Sequence, residues 1–278
     1  KYFIKFQNMK YLVIFFYCFS FQYSFSQIIK NSGPISTSMA GVNANNIDTW
    51  SINNNIGQLV NMEHSAIGVN VFQPFLMTEF TSSNLVLGFR RSKKAFGFNY
   101  SNYGNEFLQI NNAGFGYSMK LSNEFQSGIK LNYYHFNSGE YYSTKSVVTA
   151  DLGLVAKLTN ELNLGVNIKN PTLANLADFE NEKIQTEMQI ALGYHISNQL
   201  SLHTALNKSI IYPTSLLAAV NYSPNDKINF RGGIGSNPNK AAFGIGVNLK
   251  LFEINFATQV HQVLGWSPDF SISYSFEK

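Results

Sequence analysis

The sequence has little charge and only one cysteine. Charged residues make up 13% of the chain, whereas soluble domains carry about 25%, so a surface in water would lack much of its usual charge. Lys and Arg are scattered and the formal net charge is +4, so no basic block indicates nucleic-acid binding. The single cysteine, Cys18, precedes residue 27, where a mature chain is expected to begin. That chain would have no disulfide, thiolate metal site or cysteine nucleophile.

The first 26 residues have the pattern of a cleaved export signal. Lys10 supplies a basic region, Tyr11 to Phe19 is an apolar run, and Ser24-Phe25-Ser26 is a small-x-small cleavage site. The alternative is a transmembrane anchor, but the apolar run is shorter than the roughly 20 residues that a spanning helix needs. We therefore expect a signal peptide at residues 1–26.

After Gln27 no apolar run is long enough for a spanning helix, and the dominant pattern has period two instead. Bulky apolar residues alternate with small or polar ones in segments such as Phe125–Tyr133, Leu162–Lys169, Phe243–Lys250 and Phe270–Phe276. Successive side chains of a strand point to opposite faces. Each segment therefore predicts a strand with one apolar and one polar face.

Short turn sequences recur between these segments. Leu121–Phe125 is echoed by Leu158–Leu162 and Ile196–Leu200, each with Ser or Thr followed by Asn, and these residues favour tight hairpin turns. About fourteen strands can be counted, and an even number joined by alternating short and longer links is typical of outer-membrane barrels. The fold class predicted is all-β: a transmembrane antiparallel β-barrel of about fourteen strands over residues 63–278, placed in the bacterial outer membrane with lipid around it.

A soluble β-sandwich gives the same alternation, so a secreted glycan-binding sandwich is an alternative. Three features favour lipid. The polar face is poor in charge, the apolar face is rich in Phe and Tyr as in interfacial girdles, and the chain closes on the alternating aromatic strand Phe270–Phe276.

Residues 27–62 lack this alternation and are rich in Asn, Ser and Gly, so we expect them to form an N-terminal plug inside the barrel or at its periplasmic mouth. Inward-facing glycines such as Gly128 and Gly233 would either make room for a plug or permit tight curvature. Three inward lysines at strand ends would either approach plug carboxylates such as Asp48 or remain solvated lumen charges: Lys120, Lys157 and Lys250.

Catalytic chemistry has little support. The five histidines have no metal-site spacing, so no metal, cofactor or enzymatic activity is expected. Ser201 and His203 share one face of a strand, but the sequence brings no third group to them.

The segment after the leader resembles a known pattern. Gly33–Val42 followed by Asp48–Leu59 is similar to the plug of the PorV/PorQ group of outer-membrane proteins, relatives of the FadL long-chain fatty-acid transporters. Asp48, Trp50, Asn54 and Gly57 stand at comparable places, so the resemblance implies that they are ligand or plug residues, while the Pro of the group's turn is absent.

The resemblance implies a barrel of about fourteen strands with an N-terminal hatch, and it implies two roles. One is a subunit or accessory of an outer-membrane protein complex, in type IX secretion, with outer-membrane or periplasmic proteins as partners. The alternative is a FadL-like channel for hydrophobic small molecules, with a hydrophobic ligand. Short loops between the predicted strands favour the first role, because they leave little room for ligand capture.

Overall fold

A computed structural model describes residues 32–137, 144–174 and 184–276, so the predicted signal peptide at residues 1–26 lies outside the described residues. Fourteen strands form one closed barrel. Two short helices precede them. None of the helices in the described ranges is long and apolar enough to cross a membrane.

The elements follow the chain in order. The helices are α1 (Gly33–Ser38) and α2 (Ser51–Asn54), and a 3₁₀ turn spans Ile56–Asn61. The strands are β1 (Ala66–Phe72), β2 (Ser82–Arg91), β3 (Lys94–Gly104), β4 (Gln109–Lys120), β5 (Phe125–Asn137), β6 (Lys145–Lys157), β7 (Leu162–Lys169), β8 (Glu187–His195), β9 (Leu200–Ser209), β10 (Ser215–Asn225), β11 (Ile228–Gly235), β12 (Lys240–Leu249), β13 (Phe252–His261) and β14 (Gly265–Ser275).

Each strand pairs antiparallel with the next, and β14 returns to β1 with Ala66 opposite Ser275. Closure leaves no barrel strand with an unpaired edge, which a lipid environment requires. The predicted fold class is therefore confirmed. Strand β1 ends at Phe72, because a 3₁₀ turn starts at Pro74 and Phe75 has a φ of 54°.

The alternating faces separate lipid from lumen. Phe115, Leu131 and Phe270 are among the bulky side chains that remain about half exposed on the outside, while Asn99 and Ser271 are buried inside. A β-sandwich would bury its apolar residues between two sheets, but here one closed sheet presents them outward. A closed barrel with an apolar exterior and polar interior is an outer-membrane protein.

The short turns have the same hydrogen-bonding pattern and lie at the same rim of the barrel. In the β4–β5 turn the Ser122 hydroxyl oxygen accepts hydrogen bonds from the backbone N–H groups of Glu124 and Phe125, both at 3.1 Å. Thr159 and Ser197 do the same in the β6–β7 and β8–β9 turns. These turns lie at the rim where β1 begins and β14 ends. Short turns face the periplasm in such barrels, so the opposite rim faces outward.

Candidate functional site

The segment Ser32–Met62 lies inside the barrel and is called the plug below. Its apolar side chains form a buried cluster with small wall residues: Trp50, Ile52, Ile56, Leu59, Val60 and Met62 with Ala66, Val86 and Ala95. Burial of apolar area in this cluster holds the plug against strands β1 to β3. The boundary predicted at residue 62 remains a prediction, but the described part of that segment occupies the lumen.

Wall glycines make room for the plug backbone. A Cβ at Gly165 would lie 2.0 Å from the carbonyl oxygen of Ala44, and one at Gly233 would lie 2.5 Å from the carbonyl carbon of Met39. A Cβ at Gly128 would lie 2.8 Å from the carbonyl of Ile56. No side chain fits at such distances, so these glycines serve plug packing rather than curvature alone.

Hydrogen bonds complete the contact between plug and wall. The Gln189 side chain on β8 accepts from the backbone N–H groups of Asn43 and Ala44, both at 2.9 Å, and donates to the carbonyl of Gly41 at 2.9 Å. On the other side, the Thr37 hydroxyl donates to the Asp269 carboxylate at 2.7 Å. Irregular backbone inside a barrel needs such partners, because a buried unpaired polar group is costly.

The four plug residues singled out in the sequence lie together in the plug and bond within it. Asp48 accepts from the backbone N–H of Trp50 at 2.8 Å, and the Asn54 amide donates to the carbonyl of Ser32 at 2.9 Å. The backbone N–H of Gly57 donates to the side chain of Asn55 at 3.0 Å. Their contacts fold the plug; a role in ligand binding stays a prediction.

Burial, together with the negative charge of Glu253, raises the pKa of Asp48 from 3.8 to about 7. Hydrogen bonds from Trp50 and Ser51 and the positive charge of Arg231 act in the opposite direction.

The three predicted lumen lysines lie at the periplasmic rim. Lys120 ends β4 half-buried, Lys157 ends β6 exposed, and Lys250 is exposed in the turn after β12. The charged groups that act on Asp48 come instead from β11 and β13. The lysines therefore stay predicted solvated lumen charges.

A cavity of about 120 Å³ lies inside the outward half of the barrel, against strands β3 to β8, and is called the outer cavity below. Asn53 of the plug forms its floor: its side-chain oxygen accepts from the Lys130 ammonium at 2.9 Å, and its carbonyl accepts from the Lys169 ammonium at 2.7 Å. The wall includes Asn99, Asn112, Thr149, Asp151 and Glu187 together with Tyr103, Ile110, Tyr134, Phe136 and Ile184. The outer cavity is thus polar near the plug with apolar side chains interspersed.

The structure brings a third group to the serine and histidine of β9, which the sequence did not indicate. Ser201 Oγ lies 2.9 Å from His203 Nε2, and Asn45 Nδ2 lies 3.1 Å from His203 Nδ1. An amide nitrogen there pairs with an unprotonated Nδ1, so Nε2 carries the proton and cannot act as base toward the serine. Ser201 is buried and lines neither described cavity. Ser201, His203 and Asn45 therefore form a hydrogen-bonded contact between wall and plug.

The closed sheet, apolar exterior and packed lumen define a plugged outer-membrane β-barrel. No protein-family model and no curated protein sequence matches the chain, but solved structures do.

The chain is similar to the monoaromatic hydrocarbon channel CymD, at 12% identity over 91% of this chain and 100% of that one, with a TM-score of 0.71. It is similar to the toluene transporter TbuX of Ralstonia pickettii, at 13% identity over 89% and 99%, with a TM-score of 0.66. A FadL homologue of Pseudomonas aeruginosa matches at 13% identity over 92% and 100%, with a TM-score of 0.61.

These likenesses establish the fold as that of FadL-like barrels. The FadL-like fold that the resemblance implied is therefore confirmed. The PorV/PorQ type and the link to type IX secretion stay predictions.

Proposed function

We propose that this chain is a non-enzymatic channel that takes up small hydrophobic molecules across the outer membrane. The observation that carries the proposal is the outer cavity, which lies on the outward side of a non-covalently held plug. Two of the similar structures are a hydrocarbon channel and a toluene transporter, which supports this role better than the secretion role. It is the alternative that the sequence left open.

Passage requires movement of the plug. The plug backbone touches the wall at Gly165 and Gly233, and the second cavity in the lumen, beside Asn43 and Gln189, has a volume of only about 10 Å³. A molecule in the outer cavity therefore meets a closed floor. Hydrogen bonds and apolar contacts hold that floor, and such contacts can open and re-form.

A disulfide between plug and wall tests this mechanism. A Cβ at Gly244 would lie 2.7 Å from the Cβ of Ser38 and 2.6 Å from the carbonyl oxygen of Phe256, so α1 and the wall must move apart by about 1 Å to reach the Cβ separation of about 3.8 Å found in disulfides. The pair Ser38→Cys/Gly244→Cys ties the plug to β12. The matched control Thr204→Cys/Ala218→Cys joins β9 to β10 on the barrel exterior, where the two exposed residues lie directly opposite each other, and it does not touch the plug.

The measurement is uptake of radiolabelled toluene by cells that express each variant. We expect at least tenfold slower uptake in the oxidised plug–wall variant than in the control, with recovery on reduction. Equal uptake in both oxidised variants, or uptake no faster than in cells without the protein, would refute the proposal.

A role in a protein complex is the second candidate. The backbone-to-backbone packing of the plug favours it, because a lumen filled in this way suits a non-conducting scaffold. Two of the described outward links are also short, at 105–108 and 262–264. Purification from its native membrane tests this role: a stoichiometric outer-membrane or periplasmic partner supports it, and recovery of the chain alone contradicts it.

A further inference from the structure

The outer cavity contains buried polar atoms without a partner. Among the described residues, the side-chain nitrogen of Asn53 and the side-chain oxygen of Asn99 are buried and make no hydrogen bond. Both residues line the outer cavity, and Asn99 is 1% exposed. One atom is a donor and the other an acceptor. A hydroxyl group both donates and accepts, so it can complement either kind of atom.

The wall is built to hold these groups in place. Asn99 of β3 is paired across Gly114 of β4 with Asn132 of β5. A Cβ at Gly114 would lie 2.2 Å from the side-chain oxygen of Asn99 and 2.6 Å from Cε of Lys130. Because Gly114 has no side chain, the side chains of Asn99 and Lys130 can both lie over it. The second Asn99 amide atom, its nitrogen, is fixed by a 2.8 Å hydrogen bond to Asn112.

The charges around the outer cavity balance. Lys130 lies directly opposite Asp151 in the β5–β6 register, and Lys169 lies opposite Glu187 in the β7–β8 register. The formal charges of two lysines and two carboxylates sum to zero, so net charge gives no reason to expect an ionic ligand. A neutral ligand fits this arrangement.

Size and apolar lining define the rest of the ligand. Phe136, Ile110 and Ile184 line the outer cavity beside the polar groups. Its volume of about 120 Å³ approaches the roughly 150 Å³ of a protein cavity that holds benzene. We propose that the outer cavity binds a neutral single-ring compound that carries a hydroxyl group, with the ring against the apolar side chains and the hydroxyl between Asn53 and Asn99. This inference deepens the proposed function and rests on it for the claim that the bound compound is cargo.

Binding of two compounds that differ by one hydroxyl tests the site. The probes are 4-fluorobenzyl alcohol and 4-fluorotoluene, followed by fluorine NMR on the full purified chain in detergent, with the signal of empty micelles subtracted. Asn99→Leu removes the acceptor while keeping a side chain of similar size. Asn207→Leu is the matched control, because Asn207 is also a lumen-facing asparagine but lines the small second cavity.

We expect the wild type and Asn207→Leu to bind the alcohol about five- to tenfold more tightly than the hydrocarbon, since the hydroxyl satisfies buried polar groups. Asn99→Leu should bring the two affinities within about twofold. Equal affinities in the wild type, a preference that survives Asn99→Leu, or no binding of either probe would overturn the inference.

The uptake experiment separates this inference from the proposed function. If toluene is taken up but the alcohol is not bound more tightly than the hydrocarbon, the inference is refuted and the proposed function is not. Hydroxyl-selective binding without uptake would sink the transport role and leave the binding site standing.

Discussion

Strands β4, β5 and β6 pack against the plug at one level of the barrel and line the outer cavity at another. Where β4, β5 and β6 face the plug, their inward residues are Gly116, Gly128 and Gly153. One or two inward positions further out, the same strands present large polar side chains to the outer cavity: Asn112, Lys130, Thr149 and Asp151. The glycines let the plug pack closely against the wall, which closes the lumen. The larger polar residues further out line a cavity instead. Side-chain size along a strand thus sets where the plug fills the lumen and where a cavity remains.

The largest expected effect comes from placing a side chain at the closed level. A Cβ at Gly153 would lie 2.2 Å from the side-chain oxygen of Asn55 and 2.5 Å from the backbone nitrogen of Gly57. Gly153→Val should displace the plug or destabilise the barrel by about 1–3 kcal/mol or more. Planar-bilayer conductance should rise, and the temperature at which the folded gel band is lost should fall.

Thr149→Val on the same strand is the control for that change. Thr149 faces the outer cavity and not the plug, so conductance should stay at the wild-type level. Comparable conductance increases in both variants would break the distinction between the two levels.

The next effect concerns hydrogen bonding between wall and plug. Gln189→Ala removes three bonds to plug backbone groups, and a buried group left unpaired costs about 1–3 kcal/mol. Hydrogen exchange at residues 41–46 should accelerate by tenfold or more. Gln185→Ala, whose side chain bonds Ser209 at the outer end of β8, should leave that exchange unchanged; acceleration in both would point to general loosening of β8.

The plug should also respond to pH through Asp48. Because burial raises its pKa from 3.8 to about 7, folding favours the protonated acid. The contribution to stability is therefore complete below pH 3.8 and is lost as the pH rises through about 7. Asp48→Asn should reduce the difference in heat stability between these two pH ranges, and an unchanged difference would show that other groups cause it.

The smallest effect belongs to the periplasmic rim. Lys157 is exposed at the end of β6, so Lys157→Gln should change heat stability by less than about 0.5 kcal/mol and leave toluene uptake unchanged. A clear loss of uptake would show that Lys157 takes part in transport, which contradicts the prediction that it is only a solvated lumen charge.

The sequence was informative where structure depends on local pattern. Alternation in segments such as Phe125–Tyr133 predicted the strands, and the repeated Ser or Thr in the turns predicted their hairpins, because both follow from neighbouring residues. The barrel fold followed from these two patterns together.

The lumen was less predictable because its contacts join residues far apart in the chain. Nothing near Gln189 indicates that it bonds Asn43, and nothing near His203 indicates Asn45. The outer cavity likewise depends on which rows of inward residues the plug leaves uncovered. The preference for the secretion role rested on the PorV-like plug pattern and on loop length, while the comparison with solved structures shows a FadL-like fold.

Fluorescence of Trp50 tests most directly whether the plug closes the lumen. The chain has two tryptophans, and Trp266 is half exposed on the barrel exterior, so Trp266→Phe leaves Trp50 as the only reporter. Trp50 is 1% exposed, with the backbone of Gly33 against its ring. We predict blue-shifted emission that acrylamide barely quenches in the folded protein; emission and quenching like those of the denatured chain would contradict a packed plug.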